Sequence, residues 1–259
     1  MINVIASGSR GNCYLLEGEK EALIIEAGVR FNAVQRAIEY RTHKIAGLLV
    51  THEHLDHSKY IDQFVRRGID VYANQETIKK VFAKYRQEPV DMTSKTKPCY
   101  KPCFFHLLKE NEVEKIGKFF VQPFRVEHDV PCFGFYIVHP ECGNIVFITD
   151  FYRCDYNFPS VNHWIIEANF SKSLLYNNLE NGVIPPFVVN RLIKSHSEIH
   201  NTCDFLLSQD LSDSETIILI HLSQNNSDET LFKEKIERAT GVPVQIAKPG
   251  ALIFFQSKN

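Results

Sequence analysis

Three histidines and an aspartate crowd into the six positions His52-Glu53-His54-Leu55-Asp56-His57, just after the apolar run Ile45-Ala46-Gly47-Leu48-Leu49-Val50. The run reads as a buried strand. Residues two apart in an extended segment point the same way, so His52 and His54 can close on one metal ion at the strand's end. If the chain turns there, Asp56 and His57 aim past that ion towards a second one ~3.5–4 Å away, the arrangement of two-metal hydrolases. The string therefore asks for a strand end, a turn and a helix start, expected at Ser58, gathered around one point.

The rest of the chain can supply the walls. With 259 residues, 44% hydrophobic and 23% charged, it can bury a large core, and no linker divides it, so one domain over residues 1–259 is expected. The formal charge of −2 carries no whole-chain basic signal, so a nucleic acid would have to be gripped by a local patch. There is no basic segment leading into an apolar one at the N-terminus and no long apolar run, which predicts a cytoplasmic protein that does not enter a membrane. Seven cysteines without a CxxC pair suit reduced thiols rather than a disulfide framework.

Periodicity places the elements. Asn3 to Ala6, Tyr14 to Glu17 and Ala22 to Glu26 read as strands, with Ser9 and Asn12 in a small polar turn that either joins a hairpin or contacts a phosphate. Asn32 is the expected N-cap of a helix from Ala33 to Tyr40, and Lys59 to Arg67 the next helix, with Ile61, Phe64 and Val65 inward. Val71 to Ala73 and a helix through about Lys84 continue a strand-helix alternation, the mark of an α/β layer fold. Arg86 to Pro102 reads as a solvated loop, with a lid as its functional alternative. Phe119 to Val126, Phe133 to Val138, Ile145 to Ile148 and Thr216 to Ile220 are strong strands, Ser227 to Ala239 is an amphipathic helix, and Val244 to Ile246 and Ala251 to Phe255 are the last strands.

Several motifs carry a family resemblance. The string from His52 to His57 resembles the HxHxDH signature of the metallo-β-lactamase fold. Ala6-Ser7-Gly8-Ser9-Arg10-Gly11-Asn12-Cys13 resembles the SGSxGN opening of its YycJ (WalJ) branch of bacterial metallo-hydrolases. His163 to Phe170 is similar to a segment of that branch and of tRNase Z-type phosphodiesterases, Ser195-His196-Ser197-Glu198 to the family's GHLS, and His221 to Asn226 to its HLSxxNN. The resemblance implies an α/β, four-layer αββα sandwich of two mixed sheets with helices outside. It further implies His128 as a ligand of the first ion, Asp150 as the carboxylate bridging both, His221 as the closing ligand of the second, and Glu167 with His196 as a catalytic pair. Three positions depart from its pattern: Glu26 where the family has a loop-bracing Asp, Ser195 for Gly and Glu198 for Ser.

The implied ligands are then His52, His54, His128 and Asp150 for one ion and Asp56, His57, His221 and Asp150 for the other. Imidazoles plus carboxylates favour Zn²⁺ and admit Mn²⁺ or Fe. Two dications make hydroxide available at neutral pH, so the expected nucleophile is a hydroxide bridging the metals and the expected reaction is hydrolysis. Asp56, Glu167 and His196 are expected beside the reacting bond. The branch points to a phosphodiester substrate, in particular DNA cut as a 5′-3′ exonuclease. The alternatives are a thioesterase or lactamase of the glyoxalase II or lactamase type and, from another class, a silent binding scaffold.

Overall fold

Many of the strands are apolar on both faces, which only a sheet covered on both sides tolerates. In Gly143–Ile148, for example, Ile145 and Phe147 enter one core cluster while Val146 and Ile148 enter another. The period of two along a strand makes that split unavoidable. A sandwich with an outer layer on each side follows from it.

The computed structural model describes residues 1–87 and 102–255. Strands β1 (Ile2–Ala6), β2 (Cys13–Glu17), β3 (Ala22–Ile25), β4 (Ile45–Val50), β5 (Val71–Ala73) and β6 (Phe105–Leu107) form one sheet. A second is built from β7 (Glu114–Ile116), β8 (Phe119–Val126), β9 (Cys132–His139), β10 (Gly143–Ile148), β11 (His163–Glu167), β12 (Thr216–Ile220) and β13 (Val244–Ile246). The last strand, β14 (Leu252–Ile253), returns to pair antiparallel with β1, giving seven strands in each sheet. Each sheet is mixed. Antiparallel pairing gives way to parallel pairing from β3 to β6 in the first and from β10 to β13 in the second.

Helices α1 (Phe31–Ala37), α2 (Leu55–Ser58), α3 (Ile61–Val65), α4 (Gln75–Gln87), α5 (Lys172–Glu180), α6 (Pro186–Ser195), α7 (Ile199–Leu207) and α8 (Glu229–Thr240) complete the fold. The central layer joins both sheets through side chains such as Tyr14, Leu49, Phe135, Phe147 and Ile218. Phe31, Val34, Phe64 and Val65 cover the outer face of the first sheet, and Leu206, Phe232 and Ile236 that of the second. The α/β, four-layer αββα sandwich with helices outside is thus present. Burying one such large apolar side chain contributes roughly 1.5–3 kcal/mol. Among the described residues no helix is long and apolar enough to cross a membrane, and the described cysteines are free thiols.

Local expectations were corrected in three places. The first helix starts at Phe31, not Ala33: Asn32 lies inside it, and the free amide of Phe31 donates to Gln63 Oε1 at 3.0 Å. It stops before Tyr40, because Glu39 and Tyr40 both adopt left-handed backbone (φ 53 and 62). The helix expected from Lys59 to Arg67 is only α3, Ile61–Val65, parted from the preceding turn α2 where the Tyr60 amide donates to Ala27 O at 3.0 Å. Ile61, Phe64 and Val65 are nonetheless buried. The last strand is only Leu252–Ile253, shorter than Ala251 to Phe255. The lid expected over Arg86 to Pro102 lies outside the described residues except at its ends.

His163, which opens β11, stacks on Phe255 with ring centroids 4.0 Å apart. Burial pushes its imidazole down from 6.5 to about 4. An unfolded chain binds that proton near pH 6.5 and the folded one only near pH 4, so stability is full above about 6.5 and falls as pH drops towards 4. His163→Phe keeps the stack and is expected to remove this part of the acid sensitivity, at most about 3 kcal/mol. Urea unfolding of both proteins across that pH range checks it, and identical pH slopes would contradict it.

Candidate metal centre

The parallel strands carry the site at their carboxyl ends. His52 follows β4 and His54 caps α2, whose first turn holds Asp56 and His57. Asp150 follows β10, Glu167 ends β11 and His221 follows β12. His128 lies between β8 and β9, and His196 is the C-cap of α6. Three strand ends, at Glu26, Asp150 and His221, adopt left-handed backbone with φ of 73, 50 and 55. Each such residue costs on the order of 1–3 kcal/mol, a strain the surrounding sheet imposes in order to turn these side chains inward.

Asp150 is the hub. Its Oδ2 lies 3.6 Å from His52 Nε2, 3.4 Å from His57 Nε2 and 3.9 Å from His128 Nε2, while its Oδ1 lies 2.9 Å from His221 Nδ1. Thr149 Oγ1 donates to that Oδ1 at 2.9 Å. Three groups of ligand-type atoms each fall within 4.8 Å of one another: His52, His54, His128 and Asp150; Asp56, His57, Asp150 and His221; and Asp150, Glu167, His196 and His221. Asp150 belongs to all three. The first two are the sets expected from the sequence.

Polar contacts on the far side of three of the imidazoles set their orientation. His128 Nδ1 donates to Ser195 O at 2.8 Å, His52 Nδ1 meets Thr51 Oγ1 at 2.8 Å, and Glu26 Oε1 sits 3.3 Å from His57 Nδ1. In each case the other nitrogen is left for the centre, as outer partners do for metal-binding histidines. The longer Glu26 thus still reaches the loop it was expected to brace. Ser195 and Glu198, the other departures from the family pattern, are also accommodated. Ser195 supplies the carbonyl that holds His128, and the Glu198 side chain caps α7 by accepting from the His200 amide.

Glu167 is wholly buried and was read in sequence as a partner of His196 alone. Its Oε1 lies 2.7 Å from His196 Nδ1 and also 2.8 Å from His221 Nδ1. The second contact follows from parallel pairing of β11 with β12, which sets Glu167 beside Ile220. Sequence pattern does not reveal which strands pair. Thr51, the Ser195 carbonyl and Asn169, whose Nδ2 donates to His221 O at 2.8 Å, were also missed as bracing groups. His196 ends α6, and the start of the following α7 is capped by Glu198. The helix field at a C-terminus favours an imidazolium instead of opposing it.

Asn12 and Ser9 diverge. Asn12 is buried, with its Oδ1 accepting from the Gly8 amide and its Nδ2 3.1 Å from His57 Nε2, so it faces inward to the histidine loop. Ser9 lines a pocket of about 410 Å³ with His54, Asp56, Asp150, His196 and His221.

Electrostatics follow from burial. Burial alone pushes Asp150, Asp56 and Glu167 up, but neighbouring histidines outweigh it and hold all three carboxyls below their ordinary values. Burial likewise pushes His57, His196 and His221 down, and facing carboxylates outweigh it and hold them above theirs. At His52 burial, followed by the charge of His57, outweighs the nearby Asp150 carboxylate and holds the imidazole well below its ordinary value. Buried carboxylates with no Lys or Arg partner among the described residues are thus balanced only by imidazolium charge, which a divalent cation would replace. His52 Nε2 and His221 Nε2 are buried without hydrogen-bond partners, an arrangement costing about 1–3 kcal/mol per group unless something else accepts the lone pair. The residues present therefore fit metal ions.

The sequence profile described as Metallo-beta-lactamase superfamily matches residues 6–151, more than half of the chain. The chain belongs to the metallo-beta-lactamase superfamily. Metallo-beta-lactamase superfamily proteins bind metal ions, and this one is a hydrolase of that group. It is 26% identical over 246 residues to the exodeoxyribonuclease YycJ of Bacillus anthracis, covering 91% of this chain and 87% of that protein. The metallo-beta-lactamase fold protein YhfI from Bacillus subtilis superposes with a TM-score of 0.71 at 16% identity, covering 96% of each chain. Human tRNase Z, short form, does so with a TM-score of 0.63 at 16% identity over 99% of each.

Close backbone packing holds the metallo-beta-lactamase histidine loop in place. The Asn12 amide donates to Asp56 O at 2.7 Å and the Gly28 amide to Asn12 O at 2.9 Å. A Cβ on Gly28 would meet Asp56 O at 1.8 Å and Asn12 N at 2.5 Å. Backbone cannot yield as a side chain tip can, so Gly28→Ala is expected to cost roughly 1–3 kcal/mol and to lower bound metal by displacing Asp56. Thermal unfolding and metal analysis check this, and unchanged values in both would refute it.

Proposed function

We propose that the protein is a dinuclear metal-dependent phosphodiesterase, acting on DNA ends as a 5′-3′ exonuclease. His52, His54, His128 and Asp150 would hold one ion and Asp56, His57, His221 and Asp150 the other, with Asp150 shared. Imidazole and carboxylate donors suit Zn²⁺, and the carboxylates also suit Mn²⁺ or Fe. Cys132 Sγ is no rival donor: it lies on the Nδ1 side of His52, 3.6 Å away, and burial holds the thiol well above its usual value. Bound divalent ions supply Lewis acidity and make hydroxide available at neutral pH. Residues 1–259 act as one unit in this reading, since both sheets contribute ligands.

The observation that carries the choice of substrate is the buried Glu167–His196 pair, 2.7 Å apart, at the edge of the ligand cluster. A carboxylate on Nδ1 fixes the tautomer and favours the protonated ring, leaving Nε2–H to face the pocket that His196 lines. An alkoxide expelled from a phosphodiester is a poor leaving group and needs that proton, so His196 acts as general acid and Glu167 as the group that positions it. A thiolate leaves without one, so a thioesterase has no use for the pair. Similarity to a named exodeoxyribonuclease supports the same choice.

A hydrolysis screen of the metal-loaded protein over bis-p-nitrophenyl phosphate, 5′-phosphorylated DNA, a thioester and a cephalosporin tests the reading. Phosphodiesters are expected to be cut faster than the others by orders of magnitude. A thioester or cephalosporin preference would overturn it.

A further inference from the structure

The pocket wall facing the histidines is not part of the metal-binding layer. It is one side of α6, where Phe187, Val188, Arg191 and Leu192 line the same pocket as Asp150 and His196. Phe187 with Arg191 and Val188 with Leu192 are i,i+4 neighbours and Val188 with Arg191 an i,i+3 pair, so the four form one broad stripe. Val189 anchors the other side in a small cluster with Phe170 and Leu175, and Pro186 at the first helical position fixes where the helix begins. The stripe is thus held rigidly, but not to bury it. Phe187 remains 73% exposed and has no ring partner among the described residues, and Arg191 is exposed with no ion-pair partner among them.

We propose that this stripe is the nucleotide-binding wall of the site, with Phe187 stacking on an unpaired nucleobase next to the scissile bond and Arg191 holding an adjacent phosphate. The inference rests on the phosphodiesterase reading and extends it to a substrate class. An exposed aromatic beside a catalytic pocket offers a base one flat apolar face, and an unpaired guanidinium four residues on, roughly 6 Å along the helix, offers the charge a phosphate needs. The chain's formal charge of −2 makes such a local cation the means of holding a polyanion. A base inside a duplex already stacks on both faces, so the wall selects strand ends whose terminal base is unpaired.

The test uses the metal-loaded full chain with Phe187→Ala, Phe187→Trp and Arg191→Ala. The substrates are a 5′-phosphorylated single-stranded oligonucleotide, the same strand with an abasic terminal position, a blunt duplex and bis-p-nitrophenyl phosphate. Phe187→Ala is expected to raise KM for the single strand by roughly 5- to 100-fold with little change in kcat. On the abasic strand, which has no base to stack, the rise should largely vanish, and Phe187→Trp should restore binding of the intact strand. Arg191→Ala is expected to weaken all three nucleic acids and to reduce the salt dependence of binding by about one phosphate contact. Metal content and thermal unfolding confirm that each variant is folded. A wild type active on phosphodiesters whose KM does not respond to Phe187→Ala, or responds equally on the abasic strand, overturns the wall. A wild type inert on every phosphodiester overturns the functional reading itself, and the wall with it.

Discussion

Asp150→Ala is expected to abolish hydrolysis and to leave the purified protein short of both ions. Asp150 is the residue common to every ligand group, with one oxygen facing His52 and His57 and the other facing His221. Removing it takes an oxygen from each ion and, with it, the negative charge that faces His57 and His221 and would help hold two dications. Loss of a group on which the whole constellation depends costs roughly 10³–10⁶-fold in turnover. The loss should also be visible without any substrate. Ligands that bind only the folded state stabilise it by an amount that grows with the logarithm of concentration over Kd, so added Zn²⁺ or Mn²⁺ should raise the melting temperature of the wild type and leave Asp150→Ala unmoved. Normal metal content and an intact thermal shift in the variant would mean that the ions, if any, bind elsewhere.

His196→Ala is expected to keep both ions and still lose roughly 10²–10⁴-fold in turnover on alkyl phosphodiesters, the span of a general acid. The effect should depend on the leaving group. A p-nitrophenolate departs without a proton, so bis-p-nitrophenyl phosphate should suffer much less than DNA. Glu167→Gln should resemble His196→Ala in that selectivity, because it weakens the charge that holds the His196 imidazole up. It should also loosen the second metal set, since the same Oε1 sits 2.8 Å from His221 Nδ1. Metal content separates this account from the competing one in which His196 is itself a ligand, as its place in the third cluster would allow. A His196→Ala protein that loses metal, or loses equally on activated and unactivated esters, has lost something other than a proton donor.

Sequence and structure agree where local pattern determines the outcome. The apolar run before His52 is β4, and the alternation in Gly143–Ile148 divides its side chains between two layers. Of the residues expected to converge, His52, Asp150, Glu167 and His221 stand at or just past strand ends, which can be read from where apolar runs stop. What the pattern does not hold is pairing. That Glu167 serves His221 as well as His196 depends on β11 lying parallel to β12, a contact between segments 54 positions apart. That His196 ends one helix, and does not begin another, depends on Glu198 occupying the cap. The break between α2 and α3 likewise comes from a backbone bond to Ala27, a residue far away in sequence. The Glu167–His221 contact and the Tyr60–Ala27 bond are tertiary and override local preference, whereas the Glu198 cap is a local competition between neighbouring residues.

The most direct measurement is nucleotide release from a 5′-phosphorylated DNA strand by one protein sample assayed as loaded with metal, after chelation and after reloading. The account predicts release by the loaded protein, none after chelation, and recovery on reloading, with two ions bound per chain in the active states. A protein that holds its two ions and leaves the phosphodiesters uncut, or that cuts them as well after chelation, would contradict it.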